Sequence, residues 1–166
     1  QVKVWFAKRA DFDISWSDVL EKVRTSISTV KVKKRKGNGI GVVGAADFHF
    51  GAYVDDLIRS DVFNTDVLTN YLKNTVEIIN SKNYSEVHLC LLGDFIESFT
   101  GLNHRNSWKN LAHSQYGMNA IILCFEILYS VVISQIHNLK CVYIVSGNHD
   151  RVTSDSKEDA KGEVGM

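Results

Sequence analysis

Apolar and polar positions divide the chain into a loosely patterned front and a body in which strand-length and helix-length segments take turns. Ile40-Gly41-Val42-Val43-Gly44-Ala45-Ala46 is a short run of small and β-branched residues, and it predicts a strand buried on both faces. Val67, Leu68, Tyr71, Leu72, Val76 and Ile79 recur at helical spacing and predict a helix over residues 64–81. Glu86 to Leu92 reads as a second buried strand. Met118, Ile121, Ile122, Phe125, Leu128, Tyr129, Val132, Ile133 and Ile136 trace a long helix, apolar nearly all round, and Lys140 to Ser146 makes a third strand. Strand, helix, strand, helix, strand predicts an α/β fold with three core parallel strands joined by right-handed crossover helices.

The front is patterned differently. Ser15 and Asp18 form a capping box, and Val19, Leu20, Val23, Ile27 and Val30 follow at helical spacing, so a short amphipathic helix is expected from Trp16 to Thr29. Trp5 and Phe6 are expected to bury a terminal strand against the core. Lys31-Val32-Lys33-Lys34-Arg35-Lys36 then runs into Gly37-Asn38-Gly39 and marks a boundary: residues 1–38 form an N-terminal helical and basic segment, and 39–166 the main domain. With no interleaved aromatics, the basic run fits a solvated linker better than a strip that grips a phosphate backbone. Asp155 to Asp159 reads as a solvated loop or the start of a helix.

Composition narrows the class. With 166 residues, 45% of them hydrophobic, the chain can bury a core without staples, which excludes a disordered segment. Nineteen basic against nineteen acidic residues argue against a generic electrostatic grip on nucleic acid. Cys90, Cys141 and Cys124 each lie in an apolar run and read as reduced core thiols rather than a zinc site. No apolar stretch is long enough to span a bilayer and the first residues make no signal peptide, so no membrane partner and a cytoplasmic location are expected. The start at Gln1 and the end at Met166 suggest a piece of a longer chain.

The chemistry lies where the strands end. Asp47-Phe48-His49 follows the first strand, Gly93-Asp94 the second and Gly147-Asn148-His149-Asp150 the third. The carboxyl ends of parallel strands lie side by side, so these clusters should converge on one crevice. Two carboxylates, an imidazole and an amide oxygen gathered there would repel or stay unsatisfied without something positive between them, and one or two divalent cations meet that need. Asp47 and His49 share a face of an extended strand end while Phe48 turns inward, and the glycines before Asp94 and Asn148 allow sharp exits. Mixed oxygen and nitrogen donors suit Mn, with Fe or Zn next, better than Ca or Mg. His88 and His137, in apolar stretches, read as satisfied core or surface histidines.

Taken in order, D-x-H, G-D-x-x-E and G-N-H-D resemble the motifs of the calcineurin-like metallophosphoesterase superfamily over residues 39–151. The resemblance implies the N-terminal half of a ββ sandwich flanked by helices. It implies two metal ions, Asp47 and His49 on the first, Asp94 bridging and Asn148 on the second. His149 would protonate the leaving oxygen and Glu97 would orient that imidazole. Where protein phosphatases of the superfamily carry Arg-Gly after the acidic residue, this chain has Ser98; Arg105 or His104 would be the substitute for contact with the substrate phosphate, the alternative being that Arg105 is an ordinary loop arginine. No histidine follows His149, so the superfamily's lone His and G-H-x-H are expected beyond Met166.

The activity implied is hydrolysis of a phosphoester, a phosphodiester before a monoester. Glu97, the long insert before the third strand and the basic front are most similar to phage and bacterial nuclease-type members, with nucleic acid as a candidate partner. The alternatives are a nucleotide-sugar pyrophosphohydrolase, which Gly93 to Ser98 followed by Thr100-Gly101 faintly resembles, a protein phosphatase of the same superfamily, and a non-catalytic binding fragment.

Overall fold

In the computed structural model, residues 32–56, 58–59, 62–100 and 107–151 are described. The chain divides after Lys31, and all of these residues belong to the second unit. The expected front helix, Trp5 and Phe6, the loop at 155–159, His104 and Arg105 lie outside the described residues.

β-branched and small residues make three six-residue strands, β1 (Ile40–Ala45), β2 (Glu86–Leu91) and β3 (Leu139–Ile144). They pair in parallel in the order β1-β2-β3, with Val43 opposite Leu89 and Leu89 opposite Val142. Helix α1 (Thr65–Ser81) begins where the Asn64 side chain accepts from the Val67 amide at 3.0 Å. Its inward stripe is Leu68, Leu72, Val76 and Ile79, whereas Tyr71, expected on that stripe, is exposed.

Helix α2 (Met118–Ile127) passes into a π-helical turn, Leu128–Ile133, that packs on α1. Its buried positions, Ala120, Cys124, Leu128 and Val132, recur every fourth residue. Such a stripe drifts around an α-helix of 3.6 residues per turn, and the wider turn brings it back to the sheet. The long helix is therefore not apolar on all sides in use: Met118, Ile122 and Phe125 face outward.

The core lies between these helices and one face of the sheet, built from Val87, Leu89 and Leu91 with the helix stripes. The expectation of strands buried on both faces is not met: Ile40 is 65% and Val42 72% exposed, and Tyr143 and Val145 are half exposed. The register puts Val42, His88 and Cys141 together on this second, open face. Two of the three expected core thiols thus move: Cys90 and Cys141 are only partly buried, and only Cys124 is a core residue. Burial, with the Asp150 carboxylate nearby, pushes the Cys124 thiol up to about 12. Among the described residues no helix is long and apolar enough to cross a membrane.

Candidate metal centre

Pairing between β1 and β2 continues past their ends. The Asp47 amide donates to the Gly93 carbonyl (3.2 Å), His49 to Asp94 (2.9 Å) and Phe50 to Phe95 (2.8 Å), and the Glu97 amide returns to Phe50 (2.9 Å). Along these zipped exits polar residues alternate with aromatic anchors: Phe48, Phe50, Phe95 and Ile96 are buried, and the Phe48 ring stacks on Phe95 with centroids 5.7 Å apart. The anchors fix the loops, and Asp47, His49, Asp94 and Glu97 project from them.

The local backbone differs from the extended strand end expected for Asp47 and His49. Their φ angles are +57° and +51°, and that of Asp94 is +52°. This left-handed region disfavours side chains with a Cβ, and non-glycine residues held there cluster at functional sites. Asp47 and His49 still share a face with Phe48 turned inward, but by left-handed kinks rather than by pleating.

The exits of β2 and β3 are stitched to each other. Asp94 Oδ1 accepts from the His149 amide at 2.8 Å. Reciprocally, Asp150 Oδ1 accepts from the amides of Phe95 (2.7 Å) and Ile96 (3.2 Å), and its Oδ2 from that of Gly147 (2.7 Å). Asp150 is fully buried. Sequence reasoning gave it no role. The signal was there to find, because amides at strand exits need acceptors and Asp150 is a carboxylate in the third cluster. Gly93 (φ +91°) and Gly147 meet backbone to backbone at this stitch, where a Cβ on Gly93 would stand 2.5 Å from the Gly147 nitrogen and one on Gly147 would strike Asp94. Gly147 is thus required by close approach rather than by the shape of its turn. Gly147→Ala is expected to displace Asp94 and cost about 2–3 kcal/mol as overpacking, read as a lowered urea midpoint; an unchanged midpoint would show that the exits are not in contact.

Donor atoms of Asp47, His49 and Asp94 lie within 4.8 Å of one another, and so do those of His49, Glu97 and His149. His49 belongs to both groups: Nε2 is 3.8 Å from Asp47 Oδ1, and Nδ1 is 2.9 Å from Glu97 Oε2. The Nδ1 contact is close but poorly aligned, so this buried nitrogen has no proper hydrogen bond. A carboxylate on one ring nitrogen and a cation on the other is the usual setting of a metal-bound histidine. The Glu97 carboxylate, with Asp94 and Asp47 adding their charge, holds the His49 pKa above its ordinary value despite burial that pushes it down. A pocket with this excess of negative charge fits a divalent cation.

The His149 ring stands edge-on to His49, centroids 4.6 Å apart. Its Nδ1 is 2.7 Å from the Glu97 carbonyl oxygen, while the Glu97 carboxylate is 3.8 Å away. Glu97 does hold His149, but through its backbone; its carboxylate faces His49. A carbonyl only accepts, so Nδ1 carries hydrogen and Nε2 is the nitrogen that this contact leaves open. Asn148 is exposed at the same edge, between the anchored amides of Gly147 and His149.

A raised His49 pKa has two consequences of opposite sign. In the metal-free chain its favourable contacts are fully present below the ordinary imidazole value and are lost as pH rises through the raised one. A cation needs the deprotonated nitrogen, so Mn affinity is expected to rise with pH through that same range, by up to about tenfold per unit, with proton release. Calorimetry in two buffers of different ionisation enthalpy measures that release, and pH-independent binding without it would place the ion elsewhere. Comparison of the chain with protein-family models, with curated proteins and with solved structures finds no match.

Proposed function

We propose that the chain belongs to a metal-dependent phosphoester hydrolase that acts on phosphodiesters. The observation that carries this reading is the gathering of Asp47, His49 and Asp94 from two strand exits within 4.8 Å, with the His149 ring against them. These three residues would hold one divalent cation, Mn before Fe or Zn, and Asn148 would be a ligand of a second. When bound, such ions supply positive charge to the phosphoryl oxygens and lower the pKa of water.

The chain's own groups do the rest. Asp94 Oδ1 fixes the His149 amide and the Glu97 carbonyl fixes the ring tautomer, so Nε2 is the atom that gives a proton to the departing oxygen. The Glu97 carboxylate, 2.9 Å from His49 Nδ1, adds negative charge beside that ring. The open face of the sheet, on which Ile40, Val42 and Tyr143 are exposed, supports the further reading that this is one layer of a ββ sandwich, since parallel sheets are ordinarily covered on both sides.

The test is an assay of the full chain with Mn on bis-p-nitrophenyl phosphate, single-stranded DNA and a nucleotide-sugar diphosphate side by side. Turnover of the first two, abolished by EDTA and restored by Mn, is expected. Turnover of the third alone would replace the diesterase with a pyrophosphohydrolase, and absence of both turnover and Mn binding would remove the hydrolase.

A further inference from the structure

We propose that a groove at the N-terminal edge of the sheet binds a phosphate group, at a site separate from the metal centre. It lies beside α1 and the end of the π-helical turn and is lined by Lys33, Lys73, Glu77, Asn80, Gln135 and His137, with a volume of about 220 Å³. The strands are six residues long, so it stands roughly 20 Å from the carboxyl-end site.

The backbone of the basic run is held there, while the side chains of Lys33, Lys34, Arg35 and Lys36 are exposed. Asn138, itself left-handed at φ +56°, clamps it: its amide donates to the Lys33 carbonyl (3.0 Å), its Oδ1 accepts from the Arg35 amide (2.7 Å), and its Nδ2 donates to the carbonyls of Arg35 (2.8 Å) and Tyr84 (2.7 Å). Ordering a run of like charges is unfavourable both in entropy and in repulsion. An anion offsets the second.

The amide side chains of the groove are engaged within the protein, Gln135 Nε2 with the Ser130 carbonyl (3.2 Å) and the Ser134 hydroxyl (3.0 Å), so the donors the groove offers an anion are the ammonium groups of Lys73 and Lys33. Asn80 Oδ1 is occupied by the His137 amide (2.8 Å), Asn80 Nδ2 by the Gln135 carbonyl (3.0 Å), and Gln135 Oε1 by the Lys33 ammonium (3.1 Å). His137 Nδ1 is buried without a hydrogen-bond partner, contrary to the satisfied ring expected from sequence. Burial, then the charges of Arg35 and Lys33, push the His137 pKa down, the sign expected where positive charge collects beside the ring. Glu77, one helical turn after Lys73, offsets part of the positive charge, but Lys33, Lys73 and Arg35 leave an excess. The space is far larger than one water requires, and a cation is excluded by like charge.

The occupant is either a free phosphate or a phosphate of a polynucleotide backbone. Only a polymer could reach both this groove and the metal centre. Two probes separate them, inorganic phosphate followed by the His137 ring resonances and a fluorescent oligodeoxythymidylate followed by anisotropy, both on the full chain in EDTA. Binding is expected to be unchanged in Asp94→Asn and about tenfold weaker in the Lys33→Ala/Lys73→Ala double variant. Both lysines are exposed, so the fold should be retained, as circular dichroism would report. A response to both probes, each displacing the other, assigns the site to phosphate itself; a response to the oligonucleotide alone assigns it to the backbone. No response to either probe, or equal binding by the double variant, overturns the proposal.

Discussion

Asp150→Ala is expected to lower folding stability by about 3–5 kcal/mol, a large share of the roughly 5–15 kcal/mol that holds a domain folded. The cause is specific. The carboxylate is fully buried and accepts from three backbone amides, those of Phe95, Ile96 and Gly147. Alanine would leave all three without their acceptor, and buried donors without acceptors cost about 1–3 kcal/mol each. Asp150→Asn separates charge from shape. Its carbonyl oxygen can serve Phe95 and Ile96, but its amino group would then face the Gly147 amide, donor against donor, and about 2 kcal/mol should be lost. Urea unfolding followed by circular dichroism measures both. If Asp150→Ala shifts the midpoint no further than an exposed substitution such as Lys73→Ala, the stitch does not hold the β3 exit to the β2 exit.

The second large effect concerns the ion. Asp94→Asn should weaken Mn binding by about a hundredfold or more, because even partners that only touch a ligand are worth about 10–100-fold and Asp94 supplies a charge directly. Its carboxamide oxygen can still accept from the His149 amide at Oδ1, so the fold should survive and the loss can be read as chemistry rather than unfolding. Titration calorimetry with Mn, at the alkaline end of the pH series where its binding is strongest, gives the affinity. Phosphodiester turnover should fall at least in parallel. Binding as tight as in the unmodified chain would separate Asp94 from any cation and leave the hydrolase reading without support.

The periodicities made the elements legible, because strand and helix spacings leave different traces in a sequence. Residues 64–81 were expected to be helical and form α1 from Thr65 to Ser81. The convergence of Asp47, His49 and Asp94 was legible for a related reason, since parallel strands side by side leave their exits nowhere else to go. What periodicity does not carry is which face a neighbouring layer covers. Val42 and Cys141 look like core residues in a one-dimensional reading and lie on the open face. Nor does it carry backbone contacts made by side chains. Asp150 was legible only as a member of the third polar cluster; its three amide partners come from segments distant in sequence or from the loop it ends. Asn138 is hidden in the same way, and its bonds to the basic run turn an expected linker into an ordered edge.

The kinked exits also bear on how this chain could change over time. Asp47, His49 and Asp94 occupy a backbone conformation in which glycine is at ease and an L-residue pays about 1 kcal/mol. Selection for heat resistance alone would therefore favour glycine at these three positions, and each such step would remove a donor. Durability and chemistry pull the same codons in opposite directions, so the retention of side chains there would be the mark of a working site in any lineage that kept it.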